Sequence, residues 1–458
     1  MTKQRPCVLV YNPISGHGHL DSWNALFVAL LLERGFRVLS LTPDVAALEA
    51  RLAQRKSADR SRLLVLDWHA PSTLSLAVRL RMLLSWWWAY GAAYANKTPE
   101  TRAAAGMSLF VRAKKKTFQV LVPPLYAVTR ALWILYCWAA GKGVYGETNE
   151  TNYLEPTDTA IRIKAALKRS QWQPDCMFNM YMDMYKTGLN SWQEFAEICN
   201  LPWGGIRFVP SVVPPLEGYY ALESLRGMCF LDETVCASYH ANVPDKYFQC
   251  LPDITNVDLP EAPCFLTEEI RRRAAGRKIV FLGGSIGGQK NIARWCELIT
   301  LADPQRWFFV QVGEVHANTF TEEDAIAFEK MRAKPPENLF LHCEYLPDER
   351  HFNAVVQLAS VIFAVYRNFR ISSNMLGKAA FFEKPIMVSD KFLLAERVRR
   401  FGIGMTAPED DAQGMLEVLE QLLEKPFPQV KFAAYRAAFS EQKTGDSLEI
   451  FLKQTVVH

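Results

Sequence analysis

Three anion-binding devices meet in one short stretch, Phe281-Leu282-Gly283-Gly284-Ser285-Ile286-Gly287-Gly288-Gln289-Lys290-Asn291. An apolar strand is expected over residues 278–282, a glycine-rich turn follows, and a helix is expected to begin near Asn291. Gly283, Gly284, Ser285 and Gly287 bare backbone N–H groups, the helix start aims its dipole at the same point, and Lys290 adds a cation. That is the chemistry of a phosphate or diphosphate cradle. A plain structural turn is the alternative reading; Lys290 favours the anion site. A second cluster, Tyr366-Arg367-Asn368-Phe369-Arg370-Ile371-Ser372-Ser373-Asn374, sits between an expected strand at 361–365 and an expected helix at 375–382. Ser372 or Ser373 can cap that helix, and Asn374 lies at its start, where an anion is favoured. Arg367, Arg370 and Lys378 add positive charge; the alternative is a solvated basic surface.

A third loop, Ser15-Gly16-His17-Gly18-His19, ends the first expected strand. Gly16 and Gly18 permit a sharp turn and close approach of a ligand. The spacing is not that of a dinucleotide fingerprint. Histidines at the carboxyl end of a strand stand where open α/β sheets bind ligands. A neutral imidazole at His19 can take a proton from a hydroxyl, with His17 beside it. The alternative is a helix-capping role. Asp183 can orient His19 or bind hydroxyls, or it can be a hydrated loop carboxylate. No Asp-x-Asp pair falls in a suitable loop, so no catalytic metal is expected.

The elements that must position these residues read as an α/β protein. At 458 residues the chain implies two domains. Strands are expected at 6–11, 36–41, 63–66, 175–180 and 205–209, with a helix at 20–34. Residues 210–262 are proline-rich and read as irregular. The βα alternation then restarts, with a helix at 266–275 and strands at 278–282, 307–312, 339–342, 361–365 and 385–388. This predicts two Rossmann-like lobes facing a central cleft, 1–262 and 263–458, with the boundary near Ala262.

Half of the residues are hydrophobic and 22% are charged, so the chain is globular. The net charge of +4 is mild, and no nucleic-acid partner is expected. Its distribution is uneven: residues 80–145 carry nine Lys/Arg against Glu100 alone, a local +8, and five of the twelve tryptophans. This segment belongs to an insertion at 73–146. Its longest uncharged run has fifteen residues, and a bilayer span needs about 20. Trp and Tyr beside Lys and Arg suit a membrane interface. A buried helical hairpin and a single span are the alternatives. Ten cysteines without ligand spacing argue against zinc and for a reducing compartment. No signal peptide is read at the N-terminus, so a cytoplasmic protein, peripheral on the cytoplasmic face of a membrane, is expected.

With these motifs in order, the chain resembles the GT-B glycosyltransferases, and its second lobe is similar to the retaining family-four type. The resemblance rests on Gly283-Gly284-Ser285 followed by Lys290, and on residues 378–385. There Ala379, Lys384 and Pro385 match that family's glutamate-alanine-x-alanine-x-glycine-lysine-proline pattern. Ser373-Asn374-Met375-Leu376 echoes its proline-asparagine-lysine-leucine. The two acids of the family pattern are Arg370 and Lys378 here. The resemblance implies that the loop at 338–347 reads a nucleotide base through His342, Cys343, Glu344 and Tyr345. It places Glu396 in the same template, and His19 as an acceptor-side base. It implies a nucleotide-diphosphate sugar as co-substrate, no separate cofactor, and transfer to an acceptor hydroxyl. The insertion points to a lipid-linked or membrane-proximal glycan. Two rival readings stay open: a nucleotide-sugar epimerase, and a non-catalytic scaffold, which the missing acids favour.

Overall fold

In the computed structural model the described residues are 5–15, 20–55, 58–68, 154–185, 191–215 and 218–457. Gly16, His17, Gly18, His19 and the expected insertion at 73–146 lie outside them. The chain separates into two compact units. One comprises Met1–Val28, Gly35–Trp203 and Pro215–Leu225; the other comprises Ala29–Arg34, Gly204–Pro214 and Arg226–His458.

The first sheet has seven strands: β1 (Cys7–Tyr11), β2 (Arg37–Thr42), β3 (Leu63–Asp67), β4 (Cys176–Asn179), β5 (Trp203–Ile206), β6 (Leu225–Phe230) and β7 (Tyr247–Cys250). Their order is β3-β2-β1-β4-β5-β6-β7, and β1 pairs in parallel with both β2 and β4. All five residues of β1 are buried. A continuous apolar run of this kind marks a parallel strand covered on both faces. Helices α1 (Leu20–Glu33), α2 (Val45–Ala53), α3 (Pro156–Ser170) and α4 (Ser191–Cys199) supply the cover in the first unit. Trp192 of α4 stacks on Trp203 of β5 at 5.4 Å, with Phe195 and Tyr219 edge-on. This aromatic nest fixes the helix on its strand.

Where the sequence read as irregular between 210 and 262, the structure has β6, α5 (Glu233–Asn242) and β7. The strand signal was masked by Arg226 and Gly227. That glycine is obligatory, because a Cβ there would stand 1.9 Å from the Tyr247 carbonyl across the β6–β7 pairing. The expected boundary near Ala262 falls between β7 and the start of the second sheet.

The second sheet has six strands: β8 (Lys278–Gly283), β9 (Trp307–Val312), β10 (Leu339–His342), β11 (Val361–Ala364), β12 (Ile386–Ser389) and β13 (Gly404–Ala407). The order is β10-β9-β8-β11-β12-β13. The helices are α6 (Phe265–Ala274), α7 (Ile292–Leu301), α8 (Glu322–Ala333), α9 (Glu349–Leu358), α10 (Asn374–Phe381), α11 (Phe392–Phe401), α12 (Ala412–Glu424), α13 (Gln429–Ala438) and α14 (Glu441–Val457). One apolar core runs from β8 through β12 to Tyr435 of α13. Each sheet is therefore doubly wound, with its strand order reversing between β1 and β4 in the first and between β8 and β11 in the second. Ligands in such sheets bind beyond the carboxyl ends of the strands at that reversal. Gly227→Ala is expected to force β6 and β7 apart and cost about 1–3 kcal/mol, read as a lower urea midpoint with unchanged slope.

Candidate functional site

The reversal point of the second sheet is flanked by the loop after β8, which carries Lys290, and the loop after β11, which begins at Tyr366. The first of these is stitched to the segment after β9. The N–H of Gly284 donates to Val312 O (3.1 Å), that of Ile286 to Glu314 O (2.8 Å), and that of His316 to Ile286 O (2.9 Å). The Gly288 N–H donates to Thr319 Oγ1 at 2.9 Å. Gly284 and Gly313 both have positive φ, and a Cβ on Gly313 would meet Gly284 O at 1.8 Å. Alternate amides thus serve the protein. Among the described residues, those of Ser285 and Gly287 have no hydrogen-bond acceptor. The cradle expected of the whole loop narrows to these two.

Lys290 closes the same turn, its backbone N–H donating to Gly287 O at 2.9 Å. Its Nζ donates to Gly283 O at 3.1 Å and to the Tyr366 hydroxyl at 2.8 Å, and lies 4.0 Å from the centre of the Tyr366 ring. Tyr366 itself is buried. An ammonium has three donors, so one remains. No carboxylate pairs with Lys290 among the described residues. The role of Tyr366 was not visible in the sequence, where it read as one residue of a basic stretch.

The start of α7 behaves differently from expectation. Asp324 of α8 is fully buried, and its Oδ1 accepts the Ala293 N–H at 2.9 Å. A protein carboxylate therefore fills the first turn of α7, where an anion was expected to sit. Arg367 grips the same carboxylate with two bonds of 2.8 and 2.9 Å and also reaches Asn291 Oδ1. Arg367 is thus spent on structure. Buried Asn291 ties the Val365 and Glu409 carbonyls through Nδ2. Burial pushes the Asp324 carboxyl up, but Arg367, the Ala293 amide and the Thr321 hydroxyl outweigh it and hold the group below its ordinary value.

In the loop after β11, Ser373 caps α10 by accepting the Met375 N–H, as the sequence allowed. Asn374 is the first residue of that helix. Ser372 faces the other way: its hydroxyl donates to Asp253 and accepts from Arg397 at 2.6 Å. Arg397, buried on α11, also bonds the Leu231 carbonyl and Glu233. Arg370 is exposed and lies 4.2 Å over the Phe392 ring. Lys378 departs from the phosphate role expected of it. It is fully buried, and its Nζ donates to Asn256 O (2.7 Å), Glu349 (3.0 Å) and Asn353. All three donors are used inside the lobe, and burial holds its pKa below the ordinary lysine value.

His342 ends β10, the edge strand. Its carbonyl accepts the Gly313 N–H at 2.9 Å, while its buried Nε2 has no hydrogen-bond partner. Cys343 is half-buried, and burial pushes its thiol up. Glu344 and Tyr345 are exposed.

In the first unit, Asp183 follows β4 in a short turn, on one side of the reversal point, half-buried. Asn179 Oδ1 accepts the Tyr181 N–H at 2.9 Å and shapes that turn. Burial, then Asp21 and Asp183, push the Tyr181 phenol up, so both carboxylates act on one ring. Gly16 to His19, expected to bear the acceptor-side base, lie outside the described residues. Among the described residues no group of His, Cys, Asp and Glu is arranged to hold a metal, and no helix is long and apolar enough to cross a membrane.

Two doubly wound parallel sheets in series define the GT-B architecture of glycosyltransferases. The chain is similar over its whole length to a glycosyltransferase from Rickettsia africae ESF-5 (TM-score 0.61, 10% identity, 99% of each chain). It is similar also to sucrose-phosphate synthase from Thermosynechococcus elongatus (TM-score 0.56, 10% identity, 98% and 99% covered). A third likeness is Anabaena HepE, solved with UDP and glucose (TM-score 0.55, 8% identity, 98% and 100% covered). No protein-family model and no curated protein matches the sequence.

A carboxylate whose folded pKa is depressed contributes stability that is complete above its ordinary range and is lost as pH falls through the folded value. Asp324→Asn is expected to cost about 3 kcal/mol at neutral pH. It should also flatten the loss of stability below about pH 4, as read by urea unfolding across pH.

Proposed function

We propose that this protein is a glycosyltransferase of the hexosyltransferase type, family-four-like in its second lobe. It would move a sugar from a nucleotide-diphosphate sugar to an acceptor hydroxyl, in a lipid-linked or membrane-proximal glycan. One observation carries the reading: at the strand reversal of the second sheet, the loop with the unused amides of Ser285 and Gly287 also carries Lys290, held on Gly283 O and Tyr366 with no carboxylate partner among the described residues. Negative charge grows on the departing diphosphate as the glycosidic bond breaks. A fixed cation and fixed amides stabilise that charge without reorganising. Tyr366 supports this by holding the ammonium in place. Related structures solved with UDP and with UDP-2-fluoroglucose make a uridine nucleotide the first donor to try.

On the acceptor side the proposal assigns His19 as base, oriented by Asp183, with Gly16, His17 and Gly18 shaping the loop. His342 to Tyr345 are assigned to the base. No cofactor or metal is invoked beyond the co-substrate. The basic, aromatic insertion would hold the protein on the cytoplasmic face of a membrane. The rival reading, a non-catalytic scaffold, is favoured by one feature: the acid pair of the family pattern is Arg370 and a wholly buried Lys378.

The test is calorimetry with UDP, GDP, dTDP and CMP. UDP is expected to bind, and Lys290→Ala to weaken it by about 10- to 100-fold, the worth of a charge-assisted bond, without lowering the melting temperature of the free protein. Tyr366→Phe should lose a smaller part. Unchanged affinity in Lys290→Ala would refute the assigned site, and failure to bind any nucleotide would favour the scaffold.

A further inference from the structure

Resting on the reading above, we propose that the protein's acceptor is an amphiphile with an aliphatic or isoprenoid chain attached to a phosphate, and that a pocket in the second unit receives that junction. The pocket is a cavity of about 250 Å³. One wall is apolar: Phe208, Val209, Val212, Leu231 and Val235. The rest of the lining is largely polar, with Gln289, Asn368, Arg370 and Ser372 beside Ile371. Gln289 immediately precedes Lys290, so the cavity borders the proposed diphosphate grip.

The apolar wall continues onto the surface. Val209, Val212 and Val213 are 54%, 52% and 72% exposed. Three exposed valines in five residues form a patch rather than scattered apolar positions. The segment is held open. Pro210 and Pro214 fix φ at two positions. The Ser238 hydroxyl donates to the Val212 carbonyl at 3.1 Å, and the Ser211 and Tyr239 hydroxyls are bonded at 3.1 Å. The loop is therefore pinned to α5 and cannot fold its valines inward. An apolar ligand gains their burial without first ordering the loop.

The polar wall selects charge. Arg370 is exposed, lies over the Phe392 ring, and forms no ion pair among the described residues. Asp232, the one acid in the lining, turns its Oδ1 to the Thr234 and Val235 amides at the start of α5. The pocket thus offers a guanidinium suited to phosphate oxygens next to a valine surface suited to the first carbons of a chain. Its volume fits that junction and not a long lipid. Arg370, expected from the sequence at the donor diphosphate, serves the acceptor here.

Calorimetry on the full chain, saturated with UDP, tests this with farnesyl phosphate below its micellar concentration. Farnesyl phosphate is expected to bind saturably, with farnesol and inorganic phosphate each at least about tenfold weaker. Val212→Asp and Arg370→Gln should each weaken farnesyl phosphate by about tenfold or more. Val212→Asp should leave UDP affinity unchanged. Displacement of farnesyl phosphate by UDP, binding indifferent to Val212→Asp, or loss of UDP rather than farnesyl phosphate affinity in Arg370→Gln would each overturn the proposal. If UDP itself does not bind, the glycosyltransferase reading fails, and the Val212→Asp arm on the nucleotide-free protein still decides the pocket.

Discussion

The buried carboxylate of Asp324 is the constraint on which the second lobe's loops depend. It bonds the first turn of α7, closes the capping box of its own helix with Thr321, and is held in two places by Arg367. A buried charge is costly unless every lone pair is engaged, and here the engagement draws three chain segments to one point. Those segments are the loop after β8, the start of α8 and the loop after β11. Lys290 and Tyr366 lie immediately before Asn291 and Arg367 in sequence. The geometry of the ammonium above the phenol ring is therefore tied to the next residue on each side, Arg367 of the ion pair and Asn291, which Arg367 also bonds. Structure and chemistry are divided between adjacent residues: Arg367 is consumed by the fold, and Lys290 is left available.

Much of this was legible in the sequence. The second sheet announced itself through apolar runs such as Trp307–Val312, which a strand buried on both faces requires. The glycine loop, its lysine and the Ser373 cap could be read from residue type and order. Other features could not, for identifiable reasons. The strand β6 is broken by Arg226 and Gly227, and the need for that glycine comes from Tyr247, twenty positions on. Arg367, Arg370 and Lys378 look alike in a sequence. They differ in what meets them: a buried aspartate for the first, an aromatic face for the second, Glu349 with two asparagines for the third. Those partners come from distant segments, so charge counting treated as one basic cluster what the fold separates into three roles.

The lobe also shows how positive charge is rationed. Lys378, Arg367 and Arg397 are each placed against carboxylates, carbonyls or hydroxyls inside the protein. Two cations near the reversal point, Lys290 and Arg370, have no carboxylate partner among the described residues and lie over aromatic rings. A ring orients a cation while leaving its field directed outward. An ion pair would cancel that field. Tyr366 and Phe392, rather than acids, lie under these two cations.

The single rung that Ile286 forms with Val315 beyond the end of β8 has a geometric corollary. A pleated backbone turns successive amides to opposite sides. Once Ile286 bonds inward, Ser285 and Gly287 must both look outward, with an offset on the order of 7 Å for two residues of extended chain. In the proposed function, two donors at that spacing would address separate oxygens of an elongated anion rather than converge on one. Their aim is set by a rung of sheet, so it survives whether or not any ligand is present.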